Sequence, residues 1–190
     1  VQTCALPIYS VYSGLTINTD ISKGIFERFK SMPIWAPAPF IGLFIGDCLR
    51  HIIASVFLLI FASLIGFRIE ASLIYIAASV ALVILFSLSL SWFFMIMGLV
   101  MRSLSAILSA SWLILMPMVF MSNIYADPST MPSWLQTFIS FNPLSWQVDA
   151  VRSLFEGSFN GELILKALTA SLLITMALAP IAIMLYRKER

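Results

Sequence analysis

The sequence predicts an all-α integral membrane protein, a polytopic helical bundle with about four transmembrane helices. Its 190 residues are 61% hydrophobic and 11% charged, and the mean hydropathy is +0.99. Because soluble domains contain about 25% charged residues, this composition places the chain in lipid. The second observation is that the apolar residues form runs long enough to cross a bilayer. The four expected spans are residues 48–67, 73–100, 104–121 and 163–186.

The N-terminal residues give the weakest signal. The first eight, VQTCALPI, resemble a translated sequencing-library adapter, so we expect residues 1–8 to be non-native. Residues 9–190 are then expected to be a transmembrane domain whose N-terminal part is missing. Residues 9–19 form a short segment of mixed polar and apolar types, and taken alone they predict a loop.

Residues 20–39 predict an amphipathic helix that a proline cluster ends. Asp20 or Ser22 can cap its N-terminus, and the prolines that follow break it. Apolar side chains lie on one side of this helix and charged side chains on the other. The two sides are Ile25, Phe26 and Phe29 against Glu27, Arg28 and Lys30, and the prolines are Pro33, Pro37 and Pro39. Taken alone, the pattern is typical of a basic juxtamembrane segment held by anionic lipid headgroups.

A polar band precedes the first expected span. Asp47 can pair with Arg50 or His51 one turn later, so we expect this band at the cytoplasmic water boundary. His51 is the lone histidine of the chain. It is either an interfacial or salt-bridge residue or a proton relay, and the absence of a second ionisable residue deeper in the span favours the first interpretation.

The later spans carry packing signals. The 28-residue run at 73–100 is about 42 Å long as a helix, which exceeds the roughly 30 Å hydrocarbon core, so it must tilt or project. Pro117 and Pro180 predict kinks in the last two spans. Small residues in the second span permit close helix contact, and packing is their expected role. These residues are Ser79, Ser87, Ser89, Ser91 and Gly98.

Residues 122–162 separate the last two spans and contain two short helices. Pro132 can open the first, SWLQTFISF. Asn142 can cap the second and Pro143 can occupy its first turn, where a missing N–H costs nothing. Both helices are too short and polar to cross a bilayer but apolar enough to lie at its surface. Trp134 and Trp146 suit that interface as anchors.

The second short helix is expected to be amphipathic and to end at Gly157 in a left-handed conformation. Its apolar face, at helical spacing, is Leu144, Val148, Val151 and Phe155. Its polar face is Gln147, Asp149, Arg152 and Glu156. Arg152 is within reach of both carboxylates.

The sequence offers no catalytic or metal-binding residues. It contains no GxxxxGK[ST] phosphate-binding loop, no HExxH and no GxSxG. The two cysteines, Cys4 and Cys48, have no metal-site or disulfide spacing. Between their ends the expected spans hold no ionisable residue, which argues against a proton- or sodium-coupled carrier. A conduit without its own energy-converting group needs an external motor.

Three blocks carry a family resemblance: GIFERFKSMPI at 24–34, MPSWLQ at 131–136 and NPLSWQVDAVR at 142–152. From about Asp20 to its C-terminus the chain resembles the permease subunits of type-2 ABC exporters, and most of all those of daunorubicin and multidrug resistance. The resemblance implies six spans in the complete subunit, a second permease subunit, most simply in a homodimer, and a separate ATPase subunit. ATP and Mg²⁺ would act in that ATPase subunit, and this chain would bind no cofactor. The cargo would be an apolar or amphipathic drug, lipid or polysaccharide.

The resemblance also assigns roles to residues. It makes residues 9–19 the cytoplasmic end of a span whose earlier part is missing, and residues 20–39 the cytoplasmic segment that docks on the ATPase. The residues expected in this coupling role are Gly24, Phe26, Glu27, Arg28, Phe29, Lys30 and Pro33. The residues expected in the extracellular helices or exit gate are Pro132, Trp134, Asn142, Pro143, Asp149, Arg152 and Glu156. The Asp149, Arg152 and Glu156 set either keeps one helix face soluble or ties the outer helices across the dimer.

Basic residues predict the orientation. With the C-terminus in the cytoplasm, that side holds eight basic residues and the opposite side three. The eight are Lys23, Arg28, Lys30, Arg50, Arg102, Arg187, Lys188 and Arg190, and the three are Arg68, Arg152 and Lys166. We therefore expect a cytoplasmic C-terminus, and the resemblance implies a multi-pass protein of a bacterial or archaeal plasma membrane, without a nucleic-acid partner. An ion-coupled carrier or channel, and an intramembrane enzyme or non-transporting assembly subunit, remain as alternatives.

Overall fold

The structure is a computed structural model that describes residues 2–25, 38–65, 72–101, 103–124 and 132–188 of the chain, without the side chains of 2–7, 38–40, 134–135 and 186–188. The described residues are mostly helical, and short segments without regular structure join the helices. The elements are α1 (Gln2–Ser22), α2 (Ala38–Leu64), α3 (Leu73–Val100), α4 (Leu104–Phe120), α5 (Ser133–Phe141), α6 (Pro143–Phe155) and α7 (Gly161–Lys188). The predicted all-α polytopic fold is confirmed.

The N-terminal residues form a helix and not a loop. α1 runs without interruption through residues 9–19, and it also includes the polar residues Asp20 and Ser22. These two residues therefore lie in the last turns of α1 and do not cap a new helix. The loop predicted from these residues alone is wrong, whereas the helix agrees with the end of a span that the resemblance implies. Tertiary contacts, described below, stabilise the helix in this segment of mixed composition.

α2 begins earlier than the span expected at residue 48. Pro39 lies in the first turn of α2, where proline is tolerated. The helix therefore begins within the proline cluster and not after it. Asp47, Arg50 and His51 consequently lie inside the helix and within Ile41–Leu64, the stretch apolar enough to cross a membrane. The expectation that no ionisable residue lies between the ends of the spans is therefore wrong for α2.

α3 is the central helix, and α1 packs against it in parallel. Ser10 Oγ donates to the Ser87 carbonyl at 2.9 Å. Farther along both helices, Asn18 Nδ2 donates to the carbonyls of Gly98 at 3.0 Å and Met101 at 2.6 Å. Both pairings advance toward the C-terminal ends of the two helices. Asn18 therefore binds carbonyl groups at the C-terminal end of α3, where carbonyls have no hydrogen-bond partner within the helix.

α2 packs against α3 in the antiparallel direction. The rings of Phe44 and Trp92 lie 4.6 Å apart between centroids. Farther along α2, Ala54 packs against the cluster formed by Val83 of α3 and Val151. The residue number rises on α2 as it falls on α3, which fixes the register of the two helices.

α7 lies on another side of α3 and runs parallel to it. Ala167 packs with Leu82, and Ser89 Oγ donates to the Ser171 carbonyl at 2.9 Å. The short helix α6 packs against the N-terminal half of α3, where Val151 contacts the cluster around Val83. Because α1, α3 and α7 are parallel, their C-terminal ends lie at one end of the bundle, and α6 lies toward the other.

Three described helices are long and apolar enough to cross a membrane: Ile41–Leu64, Leu73–Val100 and Gly161–Leu185. Leu104–Phe120 is apolar but has 17 residues, which is at the lower limit for a span. The outer faces of α2, α4 and α7 expose large apolar side chains, as a lipid-facing surface does. Examples are Phe57 and Phe61 on α2, Leu113 on α4, and Leu173 and Met176 on α7.

Candidate functional site

The predicted coupling residues begin where α1 ends. The Gly24 N–H donates to the Ile21 carbonyl at 3.0 Å, and Gly24 has φ of +67°. A left-handed glycine just beyond the last turn is a common helix terminator, because it carries no Cβ. Gly24 therefore redirects the chain out of α1. The other members of the predicted coupling set, Phe26, Glu27, Arg28, Phe29, Lys30 and Pro33, lie outside the described residues.

Asn142 joins two helices at the opposite end of the bundle. Its Oδ1 accepts from the Leu144 N–H at 3.0 Å, so Asn142 caps α6 as predicted. Its Nδ2 donates to the carbonyls of Met118 at 2.9 Å and Met121 at 3.1 Å, at the end of α4. One amide thus satisfies the N-terminus of α6 and the C-terminus of α4. Pro143 takes the first turn of α6, also as predicted.

Asp149 and Arg152 meet through a third residue. Asn123 Nδ2 donates to Asp149 Oδ1, and Arg152 Nη2 donates to the Asn123 carbonyl at 3.4 Å. Burial raises the pKa of Asp149 above its ordinary value, while the Asn123 hydrogen bond and the charge of Arg152 act in the opposite direction. The cluster ties α6 to the segment that follows α4. Asn123 was not predicted from the sequence. The one sequence feature that could have indicated its role is that a polar residue directly follows the end of a helix.

The remaining predicted outer residues do not converge on this cluster. Pro132 is exposed and precedes α5 as its N-cap, one residue before the helix it was expected to open. Trp134 belongs to α5, but its side chain lies outside the description. Glu156 is exposed, and among the described residues its carboxylate forms no ion pair with Arg152. Gly157 ends α6 with φ of +71°, as predicted.

Gln147 does not lie on an exposed polar face. It is fully buried, and its Oε1 and Nε2 have no hydrogen-bond partner among the described residues. Leu144, Val148 and Val151 are buried as expected. The prediction for Gln147 was wrong because α6 packs against both α3 and α7. Two neighbouring helices bury more of the α6 surface than the single apolar face predicted from the sequence.

A second polar cluster lies between α1, α2 and α3. Ser13 Oγ donates to Asp47, and it also lies 3.2 Å from Ser91 Oγ. Arg50 Nη1 lies 3.0 Å from the other Asp47 oxygen, so the predicted pairing of these residues is present. The Arg50 guanidinium stands 5.8 Å from the centroid of the Tyr12 ring. Asp47 is thus buried but neutralised, as a carboxylate inside a membrane segment must be.

His51 does not take part in that ion pair. Its side chain is 1% exposed, and neither ring nitrogen has a hydrogen-bond partner among the described residues. The expected pairing of Asp47 with its neighbours therefore uses Arg50. Arrangements of three or more His, Cys, Asp and Glu side chains that could hold a metal ion do not occur in the described part of the chain.

Buried polar ties between helices and an apolar exterior are features of polytopic membrane proteins. A family model described as ABC-2 type transporter matches residues 3–155. The chain belongs to the ABC-2 type transporter family. It is a multi-pass membrane protein, and the resemblance stated from its sequence blocks is confirmed.

One curated ABC-2 relative covers nearly the whole chain. The daunorubicin resistance ABC transporter permease protein DrrB1 of Streptomyces coeruleorubidus is 34% identical over 185 residues, which is 97% of this chain and 65% of the relative. The chain thus spans about two thirds of the length of that permease. No solved structure matches the chain significantly. The non-native origin of residues 1–8 stays a prediction.

Proposed function

We propose that this ABC-2 protein is the membrane-spanning permease subunit of an ATP-driven exporter that moves an apolar or amphipathic compound, such as a drug, out of the cell. The observation that carries the proposal is the similarity to a daunorubicin resistance permease over 97% of the chain. Permease subunits of ABC transporters are generally not catalytic themselves. ATP and Mg²⁺ would be bound by a separate ATPase subunit, and no cofactor by this chain.

The arrangement of the helices supports a division into a motor end and an exit end. Gly24 directs the chain out of α1 at the end of the bundle where α3 and α7 also finish. The Asn142 junction and the Asn123 cluster lie toward the other end, beside α6. A force applied to the segment after Gly24 would reach α6 through α3, which contacts both α1 and α6. Such a helix can bias the bundle between inward and outward arrangements.

The partners and location follow from this scheme. The assembly would contain two permease subunits, most simply a homodimer, with an ATPase subunit docked on residues 20–39. The segment after α1 and the C-terminus would face the cytoplasm of a bacterial or archaeal cell, and α5 and α6 would face outward. The basic residues Lys23 and Lys188 belong to the inner end in this scheme, which agrees with the positive-inside rule.

The decisive experiment measures drug transport and ATP hydrolysis in the same reconstituted complex. The full-length permease, co-reconstituted with its ATPase in liposomes, should export daunorubicin and hydrolyse ATP faster in its presence. Glu27→Ala/Arg28→Ala should retain membrane insertion but lose drug stimulation. The matched control, Glu162→Ala/Lys166→Ala, removes an exposed ion pair of 2.7 Å near the start of α7 and should behave as wild type. Normal drug-stimulated turnover in the Glu27/Arg28 variant would contradict the coupling role.

An ion-coupled carrier is the second candidate, because Asp47 and Arg50 lie inside a candidate span. Their mutual pairing leaves no free carboxylate for a coupling ion, which is why the ATP-driven scheme is preferred. Collapsing the proton and sodium gradients with ionophores separates the two candidates. Export by the ATP-driven complex should continue, whereas export by an ion-coupled carrier should stop.

A further inference from the structure

The register of α2 against α3 places His51 at the level of Ser87. Phe44 faces Trp92, Asp47 is joined to Ser91 through Ser13, and Ala54 packs against the cluster that contains Val83. One turn beyond Asp47 on α2 is His51, and one turn before Ser91 on α3 is Ser87. Because the two helices are antiparallel, these steps lead in the same direction.

The side chains at this level and one turn farther along α2 are buried and unsatisfied. His51 is 1% exposed, and Ser55 and Ser87 are fully buried. Both imidazole nitrogens and both hydroxyl oxygens are without hydrogen-bond partners among the described residues. We call these three residues the His51 site. An isolated polar group in an apolar environment costs about 1–3 kcal/mol, so four unsatisfied atoms on one helix pair are costly unless something else binds them.

Other hydroxyls of the same helices do not share this property. Ser79 of α3 is equally buried, but its Oγ donates to the Ile76 carbonyl at 2.8 Å. Ser91 Oγ likewise donates to the Ser87 carbonyl at 3.1 Å. Serine in a helix often forms such a bond to a carbonyl three or four residues earlier. The Ser55 and Ser87 hydroxyls do not form it, so they can form a hydrogen bond to a ligand.

The surroundings define the chemistry of that ligand. On one side of the site, Asp47 is already paired with Arg50 and accepts from Ser13, so it offers no charge to a cation. On the other side lies the apolar cluster of Val83, Val151 and Ala54. A neutral imidazole and two hydroxyls both donate and accept. The complementary molecule has uncharged hydroxyl or carbonyl groups beside an apolar body.

We propose that the His51 site binds the uncharged hydroxyl or carbonyl group of the exporter's amphipathic cargo, with the apolar body of the cargo against the Val83 cluster. This proposal rests on the export function proposed above and specifies the class of cargo. It places a cargo contact between α2 and α3, part-way along the bundle. The Asp47–Arg50 pair then forms a neutral wall of the site and is not an ion-coupling group.

The test measures binding directly, apart from transport. The full-length permease–ATPase complex in lipid nanodiscs is titrated with daunorubicin, which carries hydroxyl and carbonyl groups, and with diphenylhexatriene, a hydrocarbon without them. Ser87→Ala and Ser55→Ala should each raise the daunorubicin Kd about three- to tenfold, as the loss of one hydrogen bond does. Neither should change the diphenylhexatriene Kd. Ser79→Ala is the matched control and should bind both probes as wild type does.

The outcomes are distinguishable from those of the export test. Wild-type affinity for daunorubicin in both Ser87→Ala and Ser55→Ala would overturn the His51 site, even where the drug stimulates ATP hydrolysis. Absence of saturable daunorubicin binding to the wild-type complex would overturn it as well. Specific weakening of daunorubicin binding without any drug-stimulated hydrolysis would support the site and contradict the exporter. His51→Phe adds a third variant, and the two serine variants decide the matter if that bulky change prevents folding.

Discussion

Gly14 and Gly98 bring the backbones of α1 and α3 into direct contact. A Cβ added to Gly98 would stand 2.3 Å from the Gly14 carbonyl oxygen, and one added to Gly14 would stand 2.3 Å from the Phe94 carbonyl oxygen. Backbone atoms cannot move aside as a flexible side chain can. The close approach also allows short side chains to reach across the interface, as Ser10 and Asn18 do. Small residues drive such packing in lipid, where the hydrophobic effect between helices is absent.

Gly98→Ala should therefore destabilise the bundle. Overpacking of a tight contact costs about 1–3 kcal/mol, and here the clash is with the backbone. Gly42→Ala in α2 is the matched control, because nothing lies within 4 Å of the added Cβ. It should be neutral or stabilising by up to about 1 kcal/mol, the helix propensity difference between the two residues. Thermal unfolding of the purified variants in detergent measures both, and equal stability of the two variants would contradict the tight packing.

Asn142 is expected to contribute more than an ordinary N-cap. Asn142→Ala removes the α6 cap and both donations to α4, with an expected loss of about 2–3 kcal/mol. Asn142→Asp keeps the cap acceptor but cannot donate to Met118 and Met121, so it should be intermediate in stability. Unfolding measurements on the three proteins separate the cap from the tie between helices.

Asn160 supplies the control for this prediction. Its Oδ1 accepts from the Glu162 N–H at 3.2 Å and caps α7. Asn160→Asp should be as stable as wild type, because capping is its one expected contribution. Wild-type stability of Asn142→Asp would show that the α4 tie is unimportant. In transport assays, Asn142→Leu and Pro143→Leu should impair export while the ATPase subunit still co-purifies with the permease.

Asp149 should make stability depend on pH. Its folded-state pKa is raised by burial, so between the unfolded and folded pKa values the native state binds the proton more tightly than the unfolded state. Stability contributed by this group therefore increases as the pH falls through that window and is lost as the pH rises. Asp149→Asn removes this dependence. The difference in unfolding free energy between wild type and Asp149→Asn, measured from pH 7 to pH 4, should shift in favour of wild type.

Asn123→Ala tests the cause of that behaviour. Asn123 donates to Asp149 and opposes the effect of burial, so its removal should raise the Asp149 pKa further and extend the pH dependence toward neutral pH. Titration of the other carboxylates is common to all three proteins and cancels in the differences. A pH profile of Asn123→Ala that coincides with that of wild type would show that the hydrogen bond has no influence on Asp149.

Much of the fold was readable from the sequence because lipid imposes strict rules. Apolar runs must form helices in a bilayer, so Leu73–Val100 could be assigned to within the bounds that the structure gives. The residues that begin and end α6 could be predicted equally well. Asn142, Pro143 and Gly157 each act through their own backbone geometry, and each is found where it was predicted.

What the sequence alone determined is thus the class of the protein, its membrane helices and the ends of α6. The tertiary structure decided that residues 9–19 are helical, that Gln147 is buried, that Asp149 meets Arg152 through Asn123, and that His51 is buried without a hydrogen-bond partner among the described residues. These outcomes depend on which helices are neighbours and in what register. A helix period or a capping residue is a property of a few adjacent residues, whereas a buried polar contact exists only after distant segments have packed together.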